Sequence, residues 1–266
     1  MFVGDDFEDL EAEKWVNGKP DFSSGTYILH QWDPKCLRCH TELEMLAEIA
    51  RYRGISLVII HTPEHEFEDR DFLEKTVEDK QKKIHAAYKP ERQRWMSDSS
   101  PKKLVIEDGE LKHHSTDDHN LKNLKEFLGI QNSLEIPHKS EEKHMGLINS
   151  SLYPEHRFHG VKELDSNRPA KDGIKLDGEW KQTEEYIEAK SDASIHFITD
   201  KDNLYMVLDP QESIKTVEVV SNQVKVASNN IKFSGLKEIA DLGVEGDKEV
   251  EIRPEEGLRI YKMELV

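Results

Sequence analysis

Two cysteines occur in the chain and they stand three apart, in the run Trp32-Asp33-Pro34-Lys35-Cys36-Leu37-Arg38-Cys39-His40. A thiolate is both a nucleophile toward disulfides and a metal ligand, so this spacing points to two chemistries. A second thiol one helical turn from the first can close a reversible disulfide. Alternatively, the pair can supply half of a zinc site, and His40, His113 and His114 are the side chains that could be offered as the other half. No second Cys-x-x-Cys and no clear histidine knuckle accompanies them, so the metal reading is the weaker one. A structural staple is disfavoured, because staples join distant segments and come in larger numbers. Two inert buried thiols are the remaining possibility.

The elements around the pair decide what the sulfurs can do. Residues 26–32, Thr-Tyr-Ile-Leu-His-Gln-Trp, read as a buried strand, and 36–52 as a helix whose Cys39, Leu43, Leu46, Ala47 and Ala50 share one face at helical spacing. A Cys-x-x-Cys at a strand-to-helix junction is the sequence signature of a thioredoxin-like redox motif. Cys36 falls at the first turn, where free N–H groups, the helix dipole and the flanking Lys35 and Arg38 favour a thiolate. Cys39 faces inward as the resolving thiol. The expected disulfide is Cys36–Cys39.

Further along, 55–61 reads as a central strand, apolar on both faces. A charged helix is expected over 69–87, buried through Leu73, Val77 and Ile84. Residues 103–107, the turn Asp108-Gly109 and residues 110–113 form a β-hairpin. A last helix, capped near Thr116 or Asp117, carries Leu121, Leu124 and Leu128 and stops at Gly129. Strands alternating with helices, then a hairpin and a helix, describe an α/β sheet of mixed direction over residues 1–130. Residues 1–20 read as a polar lead-in.

Residues 131–144 are polar and lack periodicity, as a linker would. From 145 to 266 short β-rich runs follow at 186–189, 194–198, 203–208, 216–220, 223–226, 249–252 and 258–263, separated by turn residues. That spacing suggests an all-β sandwich or jelly roll.

Acidic residues number 54 against 37 basic ones, a formal charge of −17. Such a balance disfavours nucleic acid or anionic membrane as the main partner. The apolar run Leu57-Val58-Ile59-Ile60 is far too short to span a bilayer. The N-terminal Met1-Phe2-Val3-Gly4-Asp5-Asp6 does not resemble a signal peptide, which leads to the expectation of a cytoplasmic chain as written, or an extracytoplasmic one if the N-terminus was trimmed.

Several stretches together resemble a known family. Trp15-Val16-Asn17-Gly18, Trp32 four residues before Cys36, the Cys-x-x-Cys, and Val58-Ile59-Ile60-His61-Thr62-Pro63-Glu64 running to Glu68 are similar to the thioredoxin/TlpA-like part of the DipZ family. Leu176-Asp177-Gly178-Glu179-Trp180, Leu204 to Leu208 and Gly257 to Tyr261 resemble that family's C-terminal β-sandwich, which has the shape of a carbohydrate-binding module. Two departures stand out. The family's membrane-embedded electron-transfer domain is absent from this sequence, and Leu37-Arg38 is an unusual pair inside the motif.

The resemblance implies roles. Pro101 stands where thioredoxin-like proteins keep a cis-proline opposite the dithiol, with Ser100 before it offering backbone to a bound peptide. Glu42 matches a glutamate that relays protons in TlpA-like reductases, although a solvated helix glutamate fits the acidic composition too. His30 takes the place of a buried acid in thioredoxins. Trp32 is expected to shape the substrate groove or simply to fill the core. His61, Glu64 and Glu68 form a family-like loop near the dithiol. Trp180, Tyr186 and Tyr205 could make a sugar-stacking platform, or be core residues of the sandwich.

The expectation is therefore a thiol–disulfide oxidoreductase with no cofactor of its own. It would act on disulfide-containing proteins, draw on a separate thiol electron donor and use the sandwich for substrate or partner docking. The competing expectation is a glycan- or protein-binding module whose dithiol is not catalytic.

Overall fold

The computed structural model describes residues 2–7, 9–63, 67–68, 70–78, 84–90, 96, 102–116, 121–130, 141–144, 174–183, 185–244 and 246–266. The chain divides into two compact units, Met1–Ile136 and Pro137–Val266.

The first unit runs β1 (Ala12–Val16), β2 (Thr26–Gln31), α1 (Leu37–Arg53), β3 (Ser56–His61), α2 (Arg70–Glu78), β4 (Ile84–Pro90), β5 (Lys102–Glu107), β6 (Glu110–Thr116) and α3 (Lys122–Phe127). Its sheet has the order β1-β4-β3-β2-β5-β6. Strands β2, β3 and β4 are parallel, while β1, β5 and β6 join antiparallel. The three parallel strands are joined through α1 and α2, and the antiparallel hairpin leads to α3. This is a thioredoxin-like arrangement.

Period-two alternation splits the central strands between two cores. Ile28, Leu57, Ile59, Ala86 and Val105 pack with Leu43, Leu46 and Ile49 of α1, Leu73 and Val77 of α2 and Leu124 of α3. Leu29, Val58, Ile60, Ala87, Leu104 and Ile106 face the other way, against Phe7, Leu10 and Phe22. The residues that read as a polar lead-in thus supply both an edge strand and the cover of one sheet face. Burying side chains of this size contributes roughly 1.5–3 kcal/mol each.

Two boundaries differ from expectation. Residues 84–87 are not helical: Ile84 to Pro90 form β4, a strand parallel to β3. Ala86 and Ala87 are good helix formers, and pairing in the sheet overrides that propensity. The last helix begins at Lys122, not near Thr116, which closes β6; Leu121 precedes it in a left-handed conformation (φ 54°) with no side-chain cap. The hairpin forms as expected, with Asp108 and Gly109 both at positive φ (49° and 80°), the geometry that matches strand twist.

The second unit contains β7 (Glu141–His144), β8 (Ile174–Asp177), β9 (Trp180–Gln182), β10 (Ile187–Ala189), β11 (Ser194–Thr199), β12 (Asn203–Asp209), β13 (Lys215–Ser221), β14 (Val224–Ile231), β15 (Gly235–Asp241), β16 (Lys248–Pro254) and β17 (Arg259–Leu265). One sheet has the order β15-β12-β17-β10-β9, with β7 also on β17; the other is β14-β13-β16-β11-β8. Every pairing in both is antiparallel. Leu204, Met206, Leu208 and Ile260 of one sheet share a single core with Ile195, Phe197, Val219 and Ile252 of the other, which makes a β-sandwich. The stretch read as a linker ends in a strand, since Glu141–His144 pairs with β17. The β8–β9 turn requires Gly178: it sits at φ 77°, and a Cβ there would lie 2.1 Å from the Asp192 carbonyl oxygen.

Candidate functional site

The dithiol lies where β2 hands over to α1. Asp33 Oδ1 accepts the Lys35 N–H (2.9 Å) and turns the chain into the helix. Cys36 is the N-cap of α1, in an extended conformation (φ −102°, ψ 115°). Its Sγ accepts the backbone N–H of Cys39 at 3.1 Å, so the sulfur takes the place that a serine or aspartate oxygen fills in other caps. Both cysteines are free thiols; Cys36 is half-buried and Cys39 is 1% exposed. The Cys39 thiol is pushed well above its usual range. Its contact with Cys36 is the largest cause, then burial, then the charges of Cys36, Asp33 and Glu42.

Two charged groups flank the pair from different sides. Three residues after Cys39 on α1, Glu42 is 0% exposed, so it is not a solvated helix residue. Its Oε2 lies 2.7 Å from Lys103 Nζ and its Oε1 accepts Arg38 Nε at 2.9 Å. Lys103 is 0% exposed, on the α1 side of β5 two residues before Val105, and stands opposite His30 in the β2–β5 register. Burial, then the Lys103 charge, push His30 down to about 3, so its ring is neutral at neutral pH and unsuited to accept a proton there.

On the other side, Lys35 Nζ lies 3.5 Å from Glu68 Oε1 and 3.9 Å from Asp33 Oδ1. Glu68 Oε2 is 3.8 Å from His61 Nε2. Burial is the main reason that His61 is pushed down to about 4. The two cations expected to serve Cys36 are thus held by carboxylates, Lys35 by Glu68 and Arg38 by Glu42.

Trp32 is 3% exposed. Its ring meets His40 and His61 edge-on, with centroids 5.3 and 5.8 Å away, and stacks on Phe72 at 6.2 Å. It packs in the core cluster that also holds Cys39 and Leu43. Ser100, Pro101 and Glu64 lie outside the described residues. His40 Nε2 sits 2.7 Å from the Pro34 carbonyl oxygen, His113 stacks on Phe127 (4.9 Å) and His114 is exposed. Among the described residues no group of three or more His, Cys, Asp or Glu is placed to hold a metal ion, so the histidines offered as zinc ligands are not gathered around the cysteines. Lys103 and its pairing with Glu42 were not foreseen. The available signal was the alternation of β5, in which Val105 on the core face puts Lys103 on that face too.

In the second unit Trp180, Tyr186 and Tyr205 each have their own surroundings. Trp180 packs against the sandwich core and donates its Nε1–H to the Asp177 carbonyl at 2.9 Å. Tyr186 lies 5.2 Å from Tyr261, under the Arg259 guanidinium at 4.7 Å. Tyr205 sits on β12, between Glu238 of β15 and Glu264 of β17. Among the described residues no helix is long and apolar enough to cross a membrane.

Residues 149–263 match the family model described as a thioredoxin like C-terminal domain. No curated protein matches the chain. Among solved structures, a thioredoxin-like protein in its oxidized form is similar at 18% identity, with a TM-score of 0.42, over 49% of this chain and 100% of that one. A family two carbohydrate esterase from Clostridium thermocellum is similar at 8% identity and TM-score 0.31, over 34% of this chain and 30% of the esterase. The carbohydrate-binding module CBM36 is similar at 13% identity and TM-score 0.27, over 35% of this chain and 93% of the module.

Proposed function

We propose that the chain is a thiol–disulfide oxidoreductase working through Cys36 and Cys39. The observation that carries this reading is the half-buried Cys36 sulfur at the N-cap of α1, receiving the Cys39 N–H at 3.1 Å while Cys39 itself is sealed. A thiolate at that position gains from the free N–H groups and dipole of the helix.

The Cys36 thiolate attacks one sulfur of a substrate disulfide, and the other sulfur leaves as a thiolate that takes a proton from water. Cys39 then gives up its proton and attacks Cys36 Sγ. The bond from Cys36 to the substrate breaks, the second substrate thiol departs, and the Cys36–Cys39 disulfide remains. Two electrons pass from the dithiol to the substrate, and a separate dithiol donor returns them. Pro101 and Ser100 are proposed to present backbone to the substrate peptide, and Glu42 to take the proton of Cys39.

Cys36→Ser tests the reading. Reduction of insulin disulfides by the reduced protein should fall to the uncatalysed rate; full activity in the variant would sink the assignment. A second reading concerns the sandwich, where the half-buried Tyr186 between Arg259 and Lys181 (4.7 and 6.0 Å) is an aromatic surface with polar flanks, suited to docking a glycan or a protein segment. Titration with xylo- and cello-oligosaccharides, followed by tyrosine fluorescence, tests it; no change at millimolar sugar would remove the glycan option.

A further inference from the structure

One buried charge on β5, paired with α1, has no part in the steps above. Lys103 is fully buried on β5, and the only described carboxylate within ion-pairing distance is Glu42, at 2.7 Å. Glu42 is buried to the same degree and follows Cys39 by three residues, one turn along α1. Taking both charges out of water costs several kcal/mol per ion, and apolar replacements of the same size would hold the fold as well or better. Stability therefore gives no account of why the pair is there.

We infer that Lys103 is a positioning residue of the dithiol: its ion pair fixes the Glu42 carboxylate under the sealed Cys39 thiol, as the acceptor of that thiol's proton. The inference rests on the redox reading above. Among the described residues, the groups facing the pair are few. Arg38, 30% exposed, holds the second Glu42 oxygen from the solvent side and marks the way out for a proton. His30 stands beside Lys103 in the neutral form and does not compete for the carboxylate. Cys36, Asp33 and Glu42 are the negative groups acting on Cys39.

In the resolving step the Cys39 S–H proton moves to the Glu42 carboxylate. The Cys39 thiolate attacks Cys36 Sγ, and the substrate sulfur leaves with the electron pair of the broken S–S bond and is protonated by water. Glu42 then returns its proton to solvent past Arg38. A thiol as strongly raised as Cys39 forms little thiolate at neutral pH unaided, so the step needs a placed acceptor.

The test uses the full, pre-reduced chain and oxidised glutathione, with acid quenching to separate formation of the Cys36–glutathione mixed disulfide from its resolution by Cys39. Lys103→Met should slow resolution at pH 7 by at least about tenfold, leave mixed-disulfide formation within about twofold, and make resolution keep rising into alkaline pH where the parent has levelled. Lys103→Arg should recover most of the rate. A folded Lys103→Met that resolves at the parental rate with the parental pH profile overturns the inference. If Lys103→Met does not fold, the double variant Lys103→Met/Glu42→Gln removes both charges together; it should resolve as slowly, and a parental rate there is equally fatal. A parent protein that forms no mixed disulfide at all would instead overturn the redox reading itself.

Discussion

Cys36 caps a helix with part of its side chain in water, whereas Cys39, three residues on, is closed into the core with Leu43 and Leu46 of the same helix. The contrast comes from helix geometry. The N-cap residue is extended and its side chain folds back over the exposed N–H groups, while one turn later the same helix has rotated its side chain toward the sheet. On the redox reading proposed above, two chemically identical groups thereby receive different work: Cys36, half-buried, is the one to meet disulfides from solution, and Cys39, sealed, is the one to resolve.

The contrast predicts its largest effect in labelling and trapping. At neutral pH iodoacetamide should modify Cys36 at least about tenfold faster than Cys39, as read by peptide mass spectrometry. Cys39→Ser should accumulate a stable mixed disulfide with glutathione, and its turnover should fall by about a hundredfold or more. Equal labelling of the two sulfurs would erase the asymmetry on which the redox reading stands.

Much of this geometry was legible in the residues. The run from Thr26 to Gln31, the helix after Cys36 and the apolar Leu57 to Ile60 define β2, α1 and β3, because their periodicities are strong and agree with burial on both faces. Asp108-Gly109 marked its turn for the same local reason. What escaped was set by pairing across distance. Ile84 to Ala87 read as helix because Ile84 continues the spacing of Leu73 and Val77, and only the neighbouring β3 makes it a strand. Ala12 to Val16 is too polar to announce an edge strand. Cys36, Cys39 and Glu42 were visible because they lie within two turns of one helix. Their counterpart Lys103 is sixty-one residues beyond Glu42 on β5, and the link exists only once β5 lies beside β2.

The buried side of the contrast should show next in the pH dependence of stability. His30 and His61 are held at about 3 and about 4 in the folded chain, below the ordinary histidine value of 6.5. Below about pH 6.5 the unfolded chain binds these protons and the folded chain does not, so stability falls as pH drops through that value and goes on falling to about pH 4. Each titrating histidine contributes a slope of about 1.4 kcal/mol per pH unit in that window. Urea unfolding at pH 7, 6 and 5 measures it, against the background of the carboxylates. His30→Gln should flatten the curve by the share of one histidine; an unchanged slope would mean that His30 is not sealed away from protons.

The Lys35 cluster beside Cys36 yields the smallest effect and the finest test. Lys35 lies between Asp33 and Glu68, and after burial its positive charge also holds His61 down. Lys35→Met removes that charge while leaving the ring as buried as before. The His61 titration, followed by NMR, should then move upward by a fraction of a unit and stay well below the ordinary histidine range, because burial still dominates. The same variant should slow alkylation of Cys36 only modestly, since the ammonium is already engaged by two carboxylates. A His61 that rose to the ordinary range would put the Lys35 charge, and not burial, in control of this side. The solvent-facing cysteine would then be governed by the same kind of buried electrostatics as its inner neighbour.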